Sequence, residues 1–186
     1  MKKILFLFLA ACFFFSCEKE TIVIPQQHAG RTVLAFFWAD NSLNSSLRNN
    51  IQTMMQGLQA MKDSAALLVY WDGEASDISW PEPCIVEYVT NGQGGINSLS
   101  KGTIDAMMAD KNTSIYDLIG IGNIRKKYPP QTSTEKTVMQ TVIGDMMSAY
   151  PSESYGIIFG SHGSGWLPTI TGTRSIGQDG GRYSSD

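Results

Sequence analysis

The stretch Tyr155-Gly-Ile-Ile-Phe-Gly-Ser-His-Gly-Ser-Gly-Trp166 joins a short apolar run to a glycine-rich polar loop. The apolar run is β-branched and aromatic and is bounded by turn residues, which predicts a buried strand rather than a helix. Glycine carries no Cβ, so the loop can turn sharply and bring its N–H groups close to a ligand. His162 lies just beyond the strand. Ligands bind at the carboxyl ends of strands in open α/β sheets, and a histidine there can exchange a proton near neutral pH.

A lone histidine in a glycine-rich loop is more often a turn residue or a structural hydrogen-bonding group than a catalytic one. The apolar strand followed by His162-Gly-Ser-Gly-Trp166 nevertheless resembles the catalytic-histidine motif of the clostripain family of cysteine peptidases. Those enzymes are related in fold to caspases, legumain and gingipains. The resemblance implies a caspase-like fold and the cleavage of peptide or protein substrates after Arg or Lys by a histidine–cysteine dyad. It also implies that His162 exchanges the proton and that the N–H group of Gly163 stabilises the oxyanion. Some family members carry an acidic residue where this chain has Ser161.

A second resemblance lies near the start of the domain. The run Arg31–Ala39 is continuously apolar after its first residues, as expected of a strand covered on both faces. The following Asp40-Asn-Ser-Leu43 is expected to cap a helix, and apolar residues then recur at helical spacing up to Met61. Thr-Val-Leu followed by Ala-Asp-Asn-Ser-Leu is similar to the opening strand and helix of clostripain-type domains. A second buried strand, 65–71, completes a β-α-β unit, which implies a parallel strand pair.

The remaining segments complete an α/β pattern. Cys84–Val89 is expected to be a short strand paired nearby. The region 90–131 gives weak signals, of which Ile104–Met108 favours a short helix. Thr132-Ser-Thr-Glu135 matches a capping box and predicts the start of a helix that Pro151 ends. The polar tail beyond Trp166 is expected to contain turns and no further strand or helix. Asp179 either orients substrate or closes one of these turns, and the turn is favoured. These elements predict a three-layer α/β/α sandwich with a mostly parallel sheet, incomplete in this chain.

The composition limits the function classes. Hydrophobic residues make up 42% and charged residues 17%, as in an ordinary soluble globular domain. The net charge is −3 and no basic patch occurs, which argues against nucleic acid as a partner. The sequence has no CxxC pair, HExxH motif or EF-hand loop, so no metal or other cofactor is evident. The resemblance alone allows for calcium.

The N-terminus predicts export. Lys2 and Lys3 precede an apolar run that is too short to span a bilayer and is typical of a secretory signal. The signal ends at Ser16-Cys17-Glu18, which resembles a bacterial lipoprotein cleavage site; Cys12 fits the usual lipobox more closely, but cleavage there leaves three phenylalanines at the mature terminus. We therefore expect residues 1–17 to form the signal with Cys17 acylated. Residues 18–30 are then a flexible tether, and residues 31–186 are the N-terminal part of a peptidase domain. The expected location is the outer membrane or cell surface.

The nucleophile of the implied dyad is the missing part. In caspases the cysteine follows the histidine, yet no cysteine follows His162 here, and Cys84 precedes it in a predicted strand. A free cysteine in a strand is most often a small buried residue. The leading hypothesis is a cysteine endopeptidase fragment that is inactive alone, and the alternative is a non-catalytic truncated surface lipoprotein that binds a partner. Serine hydrolysis is disfavoured because Ser164 does not stand in a nucleophile-elbow pattern.

The signal junction makes a testable prediction about location. Cys17 should be acylated, so the mature protein should fractionate with membranes, and Cys17→Ala should release it or leave it uncleaved. Mass spectrometry of the mature N-terminus measures this directly. An N-terminus at Phe13, or any terminus without acyl chains, contradicts the assignment.

Overall fold

The computed structural model describes residues 30–73, 82–110, 113–162, 178–179 and 182–183. The signal, Cys17, most of the tether and Gly163 lie outside these residues. The elements, in chain order, are β1 Arg31–Trp38, α1 Asn44–Ala60, β2 Ala65–Asp72, β3 Cys84–Val89, α2 Lys101–Ala109, α3 Ile115–Ile121, β4 Asn123–Lys127, α4 Lys136–Ala149, β5 Tyr155–Gly160, β6 Gln178–Asp179 and β7 Arg182–Tyr183. None of the helices described is long and apolar enough to cross a membrane.

Five strands form one mixed sheet in the order β4-β3-β2-β1-β5. β1 pairs in parallel with β2 on one side and with β5 on the other. β3 is antiparallel to both β2 and β4, so it alone runs against the other four strands. The predicted parallel pair of the β-α-β unit and the predicted nearby pairing of Cys84–Val89 are both confirmed. The α/β fold class is confirmed as well.

Side chains that alternate along the strands build a core on each face of the sheet. One core packs α1, α2 and α3 against one face, and the other packs α4 against the opposite face. β2 is buried along its whole length and β1 along nearly all of it, as the continuous apolar runs predict. The α1 residues that are buried are Leu47, Ile51, Met55 and Leu58, whereas Met61, predicted at the end of the same stripe, is 38% exposed.

The prediction of a buried strand at Tyr155 is wrong in one respect. β5 forms, but it is the edge strand beside β1, and its central side chains are exposed. Ile157 is 45% exposed, Ile158 43% and Phe159 39%. An apolar sequence predicts a covered strand only when every neighbour is present, and among the described residues β5 has a partner on one side only. On the α1 side, a hollow of about 340 Å³ is lined by Ile158, Val33 and other apolar side chains.

The opposite edge is β4, a strand that the sequence did not reveal. Its residues are Asn-Ile-Arg-Lys-Lys and all five are exposed. The apolar-polar alternation that marks a strand is absent, because the strand borders solvent. Arg125 binds the buried carboxylate of Glu87 and Lys126 binds Asp145. Basic side chains on an edge strand discourage pairing with another chain, so β4 is not expected to pair with a strand of another molecule.

The predicted helix caps are also wrong. α4 begins at Lys136, and its N-cap, Glu135, makes no side-chain cap. The hydroxyl of Ser133, inside the predicted capping box, bonds Asp72 and Tyr70 instead. α1 has Leu43 as its N-cap, again without a side-chain cap. In the tail, where no strand was expected, the backbone of β6 pairs with that of β7 as a short antiparallel ladder.

The contrast between the two edges predicts how the isolated domain behaves. Residues 31–186 should self-associate, because the outer side of the apolar strand β5, which has no partner among the described residues, can template pairing. Ile157→Lys should raise the monomer fraction in analytical ultracentrifugation. Ile124→Lys on β4 is the matched control, since Ile124 is exposed to a similar extent, 47% against 45%, on an edge that already carries basic residues. A wild-type domain that is monomeric, with a sharp cooperative thermal transition, would contradict the prediction.

Candidate functional site

The carboxyl ends of two parallel strands lie side by side at the edge of the sheet. In the register of β1 with β5, Phe37 is opposite Gly160. The chain leaves β1 through residues 39–43 and enters α1, while β5 continues directly into Ser161 and His162. Parallel pairing therefore brings together two loops that are about 120 residues apart in the sequence.

His162 is held by the loop that follows β1. Its Nε2 atom lies 2.9 Å from Oγ of Ser42. The ring is partly exposed at the end of β5. The donor and acceptor in this hydrogen bond depend on the tautomer of the ring. The contact leaves the second ring nitrogen, Nδ1, for another partner.

Asn41 fixes the same loop from both sides. Its Nδ2 donates to the carbonyl of Trp38 at 2.7 Å and contacts Oγ of Ser161 at 3.4 Å. Its Oδ1 accepts from the N–H group of Leu43 at 2.9 Å. An Asx side chain that bonds its own backbone two residues on makes a turn without a helix cap. Asn41 therefore stabilises the loop that follows β1. The sequence instead predicts that this segment caps α1.

Gly160 sets how closely the histidine strand approaches β1. A Cβ placed on it would lie 2.6 Å from Cδ1 of Phe37 and 2.7 Å from Cδ2 of Leu47. Real Cβ atoms do not approach other atoms so closely, so only glycine fits without a shift of its neighbours. The ring of Phe159, one residue earlier, stacks on Trp38 with centroids 5.6 Å apart. The close approach at Gly160 and the stacking of Phe159 on Trp38 together position the end of β5, where the His162 loop begins.

A chain of buried and partly buried hydrogen bonds lies at the carboxyl end of β2, on the same side of the sheet as His162. Asp72, the last residue of β2, is buried and accepts from the hydroxyl of Ser133. Ser133 also bonds the Tyr70 hydroxyl at 2.6 Å, and Gln131 donates to that hydroxyl at 3.0 Å. This network leaves no periodic signal in the sequence, because its members come from a strand end and a loop about 60 residues apart. The network stabilises a carboxylate that would otherwise be costly to bury.

The chain's third cysteine is not near the histidine. Cys84 is buried in β3, opposite Trp71 of β2. β3 lies three strands from β5, about 14 Å at the usual spacing between strands. Burial raises the pKa of the Cys84 thiol to about 11, so the reactive thiolate is disfavoured. The interpretation of Cys84 as a core residue agrees with this geometry.

Two predicted site residues, Gly163 and Cys17, lie outside the described residues, so their assignments stay predictions. Asp179 belongs to the backbone ladder of β6. Within the described ranges, no group of three or more His, Cys, Asp or Glu side chains could hold a metal ion.

Comparison with known proteins identifies the family. A family model described as the clostripain family, Peptidase_C11, matches residues 35–184. The chain belongs to the clostripain family. The match includes both loops described above, the one after β1 and the one that begins with His162. No curated protein matches the sequence.

Solved structures of clostripain-family proteases share the fold. A B. fragilis cysteine protease is 27% identical with a TM-score of 0.52, and the match covers 76% of this chain and 95% of that one. A secreted C11 cysteine protease from Bacteroides thetaiotaomicron, solved with an irreversible peptide inhibitor, is 25% identical with a TM-score of 0.54, covering 84% of this chain and 36% of that one. An inactive zymogen C11 protease from Parabacteroides distasonis is 23% identical with a TM-score of 0.53, covering 77% and 33%. The chain thus spans about a third of the last two proteases.

The crowding at Gly160 predicts a large effect from one methyl group. Gly160→Ala should destabilise the domain by about 1–3 kcal/mol, because Phe37 and Leu47 must shift to admit a Cβ. Gly156→Ala is the matched control in the same strand, since a Cβ there meets nothing within 4 Å. Denaturant unfolding of both variants gives the comparison. Equal stability of the two variants would mean that β5 does not approach β1 as closely as described.

Proposed function

We propose that this clostripain-family chain supplies the histidine half of a cysteine endopeptidase, with His162 as the proton-transfer group. The observation that carries the proposal is the position of His162 at the carboxyl end of a strand, bonded to the loop after β1 at 2.9 Å. A ring held by one nitrogen presents the other to a reacting group. The family and its solved relatives are C11 cysteine proteases, which supports a peptide or protein as the substrate.

The chemistry proceeds in two steps. A thiol gives its proton to His162 and attacks the peptide carbonyl; as the tetrahedral intermediate collapses, the C–N bond breaks, His162 protonates the leaving amine and a thioester remains. Water then gives a proton to His162 and attacks the thioester, releasing the acid, and the proton returns to the thiolate. The backbone N–H group of Gly163 is the proposed donor to the oxyanion in both steps.

The nucleophile comes from a segment that pairs with the side of β5 that has no partner among the described residues. Cys84 is unsuitable because it is buried three strands away, and no cysteine follows His162 in residues 163–186. The free side of β5 is the edge nearest His162, and its exposed side chains Ile157 and Phe159 offer an apolar surface to a neighbouring strand. This chain alone is therefore proposed to be inactive.

The substrate preference and the location follow from the resemblance and from the signal sequence. Arg or Lys before the scissile bond is the preference that the family resemblance implies. Acylated Cys17 places the enzyme at the outer membrane or cell surface, where it reaches extracellular peptides and proteins. Calcium stays an expectation of the resemblance alone. No step above requires it.

A non-catalytic role is the second candidate, and one observation favours it. The open edge and the apolar hollow beside Ile158 form a surface that can bind a partner without any chemistry. The coding sequence after the codon for Asp186 separates the two candidates. An open frame that encodes a strand followed by a cysteine supports the enzyme, and an immediate stop supports the binding role.

Mutation of the histidine tests the proposed function. In the protein extended by its nucleophile-bearing segment, His162→Ala should abolish turnover of a basic fluorogenic peptide, because proton transfer contributes about 10²–10⁴-fold and also activates the thiol. The fold should survive, since the partly exposed ring belongs to neither core. Circular dichroism checks the fold and the release of fluorophore measures turnover.

Cys84→Ala is the control for the nucleophile. Activity and its inhibition by a thiol alkylator should both persist in this variant, because the reacting thiol lies elsewhere. The 186-residue chain should show no turnover with or without the mutation. Near-normal activity of His162→Ala, or loss of activity in a folded Cys84→Ala, would overturn the assignment.

A further inference from the structure

We propose that Ser42 is a positioning residue that holds Nε2 of His162 and thereby directs Nδ1 toward the thiol, an assignment that rests on the proposed function of the site. Among the described residues, Ser42 bonds the imidazole ring through its hydroxyl, which lies 2.9 Å from Nε2. It comes from a different strand end, so it constrains the ring from outside the histidine's own loop. Ser42 therefore fixes which nitrogen faces the thiol.

The tautomer follows from what each nitrogen must do during the reaction. The nitrogen facing the thiol needs a lone pair in the resting enzyme, because it takes up the thiol proton. In a neutral imidazole only one nitrogen carries a hydrogen. If Nε2 carries it and donates to Ser42, then Nδ1 has the lone pair and acts as the base.

A hydroxyl suits this role better than a group that can only donate. When the ring is protonated, both nitrogens carry hydrogen and both must donate. Ser42 then still accepts from Nε2, so the same hydrogen bond persists through both protonation states. Neither the ring nor the hydroxyl needs to turn between the two steps, and a fixed geometry is what proton transfer requires.

The position of Ser42 is itself fixed by its neighbours. Asn41 on one side bonds the carbonyl of Trp38 and Oγ of Ser161, and its Oδ1 accepts from the N–H group of Leu43 on the other side. α1 starts at once, at Asn44. Ser42 precedes the N-cap residue, Leu43, and the hydrogen bond described for its hydroxyl goes to His162 and not to the first turn of α1. A capping role therefore does not account for the serine.

The first test reads the tautomer without any need for activity. Ring ¹⁵N shifts of His162 can be recorded by magic-angle-spinning NMR on the 186-residue chain, which does not require a soluble monomer; His28→Gln removes the other histidine signal. The wild-type chain should show hydrogen on Nε2. Ser42→Ala should shift the ring toward a mixture of tautomers, and Ser42→Thr, which keeps the hydroxyl, should preserve the wild-type shifts. Identical spectra for Ser42→Ala and the wild type, or hydrogen on Nδ1 in the wild type, would overturn the proposal.

The second test uses kinetics of the extended protein. Ser42→Ala should lower kcat about tenfold, a part of the 10²–10⁴-fold that proton transfer supplies, with KM unchanged. Ser42→Thr should restore kcat, and Ser46→Ala, on the exposed first turn of α1, is the matched control that should behave like wild type. An unchanged kcat in Ser42→Ala, while His162→Ala is inactive, removes Ser42 from the site and leaves the proposed function standing. If His162→Ala retains turnover, the proposed function fails, and the ring shifts still decide whether Ser42 sets the tautomer.

Discussion

The parallel pairing of β1 with β5 is the constraint on which the site depends. Six residue pairs, from Thr32 opposite Tyr155 to Phe37 opposite Gly160, align the two strands so that both end at the same level. A shift of the register by one residue would turn every side chain of β5 to the other face of the sheet. It would also move the histidine along the strand direction by about 3.3 Å, beyond the reach of Ser42. The contact between two short loops is therefore a consequence of a backbone ladder.

Most of the layered fold could be predicted because burial leaves a pattern in the sequence. β1 and β2 are covered on both faces and appear as continuous apolar runs, while α1 places its buried residues at helical spacing. The position of His162 after an apolar strand could be predicted for the same reason. Its bond to Ser42 could not, because hydrogen bonds between segments about 120 residues apart leave no periodic trace.

The elements that were predicted wrongly are those whose role depends on distant parts of the fold and not on their local sequence. Thr132–Glu135 has the composition of a capping box, yet Ser133 bonds Asp72 and Tyr70, since a buried carboxylate gains more from a hydrogen bond than an exposed helix end does. β4 is polar because one side of it borders solvent, so it lacks a strand signature. β5 is apolar yet exposed. Its sequence suits a strand covered by neighbours, but among the described residues only β1 pairs with it.

The chemical difference between the two edge strands limits the assemblies that copies of the isolated 186-residue chain can form. Head-to-tail stacking would join β5 of one copy to β4 of the next, and such a heterologous contact can repeat into an open filament. The row Arg125, Lys126 and Lys127 opposes that contact. Two copies can instead meet through β5 against β5, an isologous contact related by a two-fold axis. In that arrangement the β5 edge of each copy is paired with the other, so assembly stops at a dimer.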